Sequence, residues 1–165
     1  MTMYTALATT TLGSNTTVVT FNSIPQGYRD LMLVINASIV GGAFNPYIQI
    51  NSDGGNNYSW VWLGSSGSSA GSGYSLSTSS LLFGAADANK GNILVNIQDY
   101  SATDKHKTLL SRSNSALSTS GQAVSLWGGV WKNTSAITSL SVIVANGRDW
   151  VSDSTFSLYG VAGGA

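Results

Sequence analysis

Apolar and polar side chains alternate along this chain in short runs, and no run keeps the 3.6-residue period of a helix. The runs recur roughly every 10 to 15 residues, separated by Gly, Asn, Asp or Pro, which end strands and build turns. About ten strands are predicted. Tyr4 to Leu12 and Thr16 to Phe21 are rich in Thr and Val, and Gly13-Ser14-Asn15 between them reads as a short hairpin connection. After the Pro25-Gln26-Gly27 turn, Asp30 to Ile39 places Leu31, Leu33 and Ile35 on one face and Met32, Val34 and Asn36 on the other. A strand apolar on nearly both sides belongs inside a sheet.

Tyr47 to Ile50 and Tyr58 to Leu63 flank Asn51-Ser52-Asp53-Gly54-Gly55-Asn56-Asn57, a stretch tolerant of positive φ, and read as a hairpin with a long polar tip. Gly64 to Gly73 is almost wholly Gly, Ser and Ala, which suits a mobile, solvent-facing loop or a segment ordered only against a neighbour. Further strands follow at Leu76 to Phe83, Asn92 to Gln98, Lys107 to Ser111, Ala123 to Trp131, Ile137 to Ala145 and Thr155 to Val161. The final Ala162-Gly163-Gly164-Ala165 reads as the end of a domain rather than a linker. No fixed-period repeat argues for a propeller or β-helix. The expectation is one all-β domain over residues 1–165, a jelly-roll-like antiparallel sandwich, with a closed barrel as the alternative.

Composition narrows the function. The 165 residues carry 7 basic and 7 acidic groups for a net charge of zero, only 8% are charged, and every acid is Asp. A neutral chain lacks the electrostatic term that drives nucleic-acid binding and the polybasic patch that anionic membranes attract, so neither partner is expected. With no Cys and one His, disulfides, thiolate zinc sites and multi-His centres are excluded, and no cofactor is implied. Neutrality favours association over free dispersal. Met1 to Thr5 has neither the basic nor the apolar region of a secretion signal, and no apolar run reaches the ~18 residues of a membrane helix.

Four constellations could carry chemistry. Gly67-Ser68-Ser69-Ala70-Gly71 matches the letters of a hydrolase nucleophile elbow, yet lies in a Gly/Ser run with no helix to follow. His106 sits in the one dense charged stretch, Asp99 to Lys107, which reads plainly as a polar loop crossing between sheets with its charges solvated or paired. As a functional reading, with no carboxylate pair and only adjacent positions available, an intersubunit contact suits it better than catalysis. The Asp53 loop has oxygen ligands at alternating positions but no closing Glu, so a turn is favoured over calcium. Tyr58, Trp60 and Trp62 share one strand face, as do Trp127 and Trp131. Buried, these rings are core or interface; exposed, the Tyr58–Trp60–Trp62 row would stack on sugars.

Three stretches carry a family resemblance. Tyr4 to Gly13 running through Val18 to Pro25 and Tyr28 to Leu31, then Asp99 to Thr108, then Thr155 to Val161, resemble small virion structural proteins of tailed phages, especially those of marine bacteria and cyanobacteria. The resemblance implies a non-enzymatic protein, made in the host bacterial cytoplasm and built into the virion. Its foremost implication is a capsid decoration or cement protein, docked on the major capsid protein or another virion protein as a small symmetric oligomer, with a trimer favoured. Interface candidates under that reading are Tyr4, Arg29, Asp99, Tyr100, Asp104, Lys105, His106 and Lys107. The alternative is a tail-fibre or tailspike component that binds a host glycan through Tyr58, Trp60 and Trp62. A free-standing lectin or glycan-processing enzyme is a weaker third, opposed by the absence of Glu.

Overall fold

The computed structural model describes residues 3–66, 69–115, 124–144 and 146–163, in which every regular element is a strand. In chain order these are β1 (Tyr4–Thr11), β2 (Val18–Phe21), β3 (Asp30–Ala37), β4 (Tyr47–Ile50), β5 (Tyr58–Ser66), β6 (Ser69–Thr78), β7 (Leu81–Leu82), β8 (Gly91–Gln98), β9 (Lys107–Asn114), β10 (Val124–Trp131), β11 (Leu140–Ile143) and β12 (Thr155–Val161). They form an eight-stranded sheet, β1-β12-β3-β8-β9-β10-β5-β6, and a four-stranded sheet, β2-β11-β4-β7, with every pair antiparallel.

Four of the pairs nest: β1 with β12, β2 with β11, β3 with β8, and β4 with β7. A long hairpin folded on itself in this way and rolled into two facing sheets is a jelly roll. The four remaining strands are two hairpin-like excursions. β5 and β6 lie between β4 and β7 in sequence, and β9 and β10 between β8 and β11; β10 pairs with β5. Both excursions join the same sheet beyond β8. The molecule is therefore a jelly-roll sandwich whose larger sheet is extended by four strands that have no counterpart in the smaller one.

Alternation places the core as expected. Leu31, Leu33 and Ile35 of β3 are fully buried, as are Val95 and Ile97 of β8 and Ile48 and Ile50 of β4. β3 lies between β12 and β8, the interior position that its two apolar faces suggested. Trp150 locks the rim: its ring meets Phe156 edge-on at 5.1 Å, and its backbone bridges to both Thr16 and Ile39.

Two expected hairpins are crossovers instead. Tyr4–Thr11 belongs to the large sheet and Val18–Phe21 to the small one, so Gly13-Ser14-Asn15 carries the chain over the sandwich edge, with Leu12 N–H bonded to Ser154 O at 3.0 Å. Tyr47–Ile50 and Tyr58–Ser66 likewise lie in different sheets. A polar turn between two strands fits a hairpin and a sheet-to-sheet crossover equally well, because both reverse the chain. Gly64 to Gly73 is also no open loop. Its described residues continue β5 and begin β6. The expected strand from Leu76 to Phe83 breaks at Ser79-Ser80, where the chain changes sheet; Ser77 adopts φ 58° and Thr78 Oγ1 donates to Ser80 O at 2.8 Å.

Candidate interaction faces

The four-stranded extension has two unlike faces. Its inner face carries Tyr58, Trp60, Trp62, Trp127 and Trp131, joined across β5 and β10 by the pairs Trp62 with Trp127 and Tyr58 with Trp131. Among the described residues, the short β7 and the segment after it cover this region from the other sheet, and Tyr58 reaches Ile50 of β4 there. Trp127 is fully buried, with Trp60 and Trp62 at 5.7 and 5.8 Å between ring centroids. Its indole N–H donates to Ser125 Oγ at 2.8 Å, Ser125 meets Ser113 Oγ at 2.6 Å, and Ser113 Oγ accepts from Ala85 N–H at 3.1 Å. Ser111 donates to Phe83 O beside them. These buried hydroxyls satisfy one another and the crossing backbone, as burial requires.

Trp62 explains the glycines of β6. A Cβ on Gly73 would stand 2.6 Å from Trp62 Nε1, and one on Gly71 would stand 3.1 Å from Trp62 Cη2. The indole lies across a strip kept free of side chains. Gly73→Val is expected to displace Trp62 and destabilise the protein by about 1–3 kcal/mol, the usual cost of overpacking, read as a fall in the urea midpoint. An unchanged midpoint would show that the indole does not need the strip.

The sugar-stacking row does not exist as an open platform. Tyr58 is fully buried and Trp60 and Trp62 are half-buried on the inner face. Tyr58 ties the two sheets together: its hydroxyl accepts from Ile50 N–H at 3.0 Å and donates to Asp53 O at 3.0 Å. The Asp53 carboxylate accepts from Trp131 Nε1 at 2.8 Å, Gly55 N–H at 2.8 Å and Asn57 Nδ2 at 3.0 Å. Its oxygens face N–H donors, an environment built for an anion rather than for sharing with a calcium ion. Burial works against ionisation at Asp53, and the three donors outweigh it, holding the carboxyl below its ordinary pKa. Asn51 finishes the crossover, its side-chain Oδ1 accepting from Thr138 N–H at 2.8 Å and Ser139 N–H at 3.0 Å.

The sequence-derived interface candidates divide. Tyr4, Arg29, Asp99 and Lys105 gather at one end of the large sheet, where β1, β3, β8, β9 and β12 begin or finish. Arg29 Nε lies 3.9 Å from Asp99 Oδ1, and Lys105 Nζ lies 3.5 Å from Asp99 Oδ2. Asp104 and His106 are exposed beside them. Tyr100 and Lys107, by contrast, are fully buried and belong to no surface of this chain. The Tyr100 ring enters the core and its hydroxyl donates to Pro25 O. The Lys107 ammonium donates to Lys105 O at 2.9 Å and Thr134 O at 3.0 Å; burial pushes its pKa down against the pull of Asp104. Alternation places Lys107 inward from its neighbour His106, so a charged label alone was misleading there. The first two residues of the Gly67–Gly71 motif lie outside the described residues, and the other three lie on β6 with no helix after them.

The outer face of the extension was not singled out from sequence. Leu110 of β9, Val124 and Leu126 of β10, Val61 and Leu63 of β5, and Tyr74 and Leu76 of β6 all point to solvent, from 43% exposed at Leu126 to 74% at Tyr74. The signal was present in Tyr58–Leu63, where Val61 and Leu63 make the face opposite the aromatic rings apolar too. Together these side chains expose on the order of 800 Å², well above the few hundred that a monomer ordinarily leaves bare.

No family model matches the chain, and no curated protein matches it. Among solved structures, a protein of unknown function from Shewanella oneidensis MR-1 aligns over 99% of this chain and 81% of its own, at 9% identity and a TM-score of 0.19. A likeness that slight carries no argument about fold or function.

Proposed function

We propose that this chain is a non-enzymatic structural protein of a tailed-phage particle, a decoration protein that docks on the assembled head and stabilises it. The observation that carries this reading is the outer face of β9, β10, β5 and β6, where neighbouring strands present aliphatic and aromatic side chains to solvent. A face of this size and character is an assembly surface. A protein that binds only the assembled state stabilises that state by mass action, with no chemistry of its own. The resemblance of Tyr4 to Gly13, Val18 to Pro25, Tyr28 to Leu31, Asp99 to Thr108 and Thr155 to Val161 to phage virion proteins supplies the kind of particle.

The charged end formed by Arg29, Asp99, Lys105 and His106 is a second contact surface under this reading, with exposed charges that suit a polar rim. The glycan-binding alternative retains Trp60 and Trp62 but loses Tyr58 to the interior. Gold-labelled antibody against this protein on intact particles separates the two: label over the head is expected, and label confined to the tail would end the decoration reading. Particles assembled without the protein are expected to lose their genome at a lower temperature, measured by dye access to the nucleic acid during heating.

A further inference from the structure

We propose that the outer face of the four-stranded extension pairs with the same face of a second copy of this chain, sheet against sheet, about a two-fold axis. This rests on reading that face as an assembly surface and names its occupant, leaving the charged end of Arg29, Asp99, Lys105 and His106 as the surface that meets the particle.

The register supplies the argument. Cross-strand pairing puts Arg112, Leu126, Leu63 and Ser72 in one row and Leu110, Gly128, Val61 and Tyr74 in the next. A two-fold axis in the plane of the face, crossing the strands between these rows, lays each residue of one row over the other row's residue on the same strand of the second copy. Leu126 then meets the bare backbone of Gly128, Tyr74 meets Ser72, and Leu63 meets Val61. One row further out, Leu76 meets Ala70, and Val124 meets Val130. Large side chains fall on small ones at Leu126 over Gly128, Tyr74 over Ser72 and Leu76 over Ala70, while Leu63 over Val61 and Val124 over Val130 are near-equal in size. The offset pairs supply the interdigitation that face-to-face sheets need at ~10 Å separation.

Area and charge agree with a second copy. The exposed apolar side chains present on the order of 800 Å² per chain, about what each partner contributes to a standard-size interface. Among the described residues, Arg112 is the only charged side chain in the patch, and it stands on β9 at the margin toward β8. In the paired arrangement its stem lies over Leu110 of the second copy, and its guanidinium reaches solvent and the Asn96 amide there. The chain has no net charge, so no long-range repulsion opposes pairing. An isologous face closes on itself at two copies, whereas a trimer would need two different faces.

Sedimentation velocity of the full chain at micromolar concentrations tests this. A dimer is expected. Leu126→Asp and Leu63→Asp, at positions exposed in the single chain, should each weaken it by at least ~100-fold while leaving the circular dichroism spectrum and Tm of the monomer intact. Gly128→Ala is a milder probe: within the chain an added Cβ meets only Val61 Cγ1, at 3.4 Å, but it fills the hole that receives Leu126 and should weaken pairing by ~10-fold. A wild-type monomer throughout that range, a trimer, or a dimer that survives both Asp substitutions would overturn the proposal. If wild type is monomeric yet Leu126→Asp still abolishes incorporation into particles, self-pairing falls and the assembly-surface reading stands.

Discussion

Trp131→Ala is expected to remove about 3–5 kcal/mol of stability, the usual cost of truncating a fully buried Trp, and to lower Tm by roughly 10 °C for a domain of this size. Trp131 pairs with Tyr58 across β10 and β5 inside the core cluster, and its indole N–H reaches 2.8 Å to the Asp53 carboxylate on the crossover between the sheets. Truncation therefore opens a cavity and strips a donor from a carboxylate that depends on it. Trp131→Phe separates these effects, because it keeps an aromatic ring and deletes the N–H. Asp53 titrates below its ordinary value in the folded chain, so its contribution is complete above about pH 4 and is lost as pH falls through the lower folded value. Urea unfolding monitored by circular dichroism should show that acid-side loss in wild type and less of it in Trp131→Phe. A Trp131→Ala midpoint equal to that of wild type would show that this junction does not hold the sandwich together.

Tyr58 should make the protein sensitive to alkali. Burial, with the nearby Asp53 charge, pushes its pKa up to about 12 against the opposing hydrogen bond from Ile50 N–H. Below about pH 10 the folded and unfolded chains both keep the phenol proton, and stability does not vary through this group. Between about pH 10 and the folded value, only the folded chain keeps it. The unfolded state then binds fewer protons and stability falls with rising pH, by on the order of 2–3 kcal/mol over the window. Tyr100, raised by burial as well, adds a slope of the same sign. Tyr58→Phe should start less stable, because Ile50 N–H loses its acceptor, but decline less between about pH 9 and about pH 11.5 in urea titrations. An identical alkaline decline in the two proteins would remove Tyr58 as its cause.

Much of the fold was legible in local alternation. Tyr47–Ile50 and Thr155–Val161 are strands with the limits their patterns suggested, and the two apolar faces of Asp30–Ala37 marked an interior strand. The aromatic row was legible as a shared face, and its burial at Tyr58, Trp127 and Trp131 follows from the size of the rings in a chain otherwise rich in small residues. The Gly/Ser stretch of β6 was not legible as a strand, because Gly71 and Gly73 lack the side chains by which strands are recognised. They are glycine for the sake of Trp62, a residue of the neighbouring strand.

By itself, the sequence determined the all-strand character of the chain, the residues that share a face along each recognised strand, and the scarcity of groups able to do chemistry. Each is local: side chains alternate every two residues whatever the strand pairs with. Only the tertiary structure decided that Tyr4 pairs opposite Val161, that the turns at 13–15 and 51–57 change sheets, and that β5, β6, β9 and β10 combine into one extension. Backbone hydrogen bonds are the same between any two strands, so the ladder carries no label for its partner. The choice comes from which buried surfaces fit together. The same fit turned Lys107 inward and left Leu63, Tyr74 and Leu126 facing out.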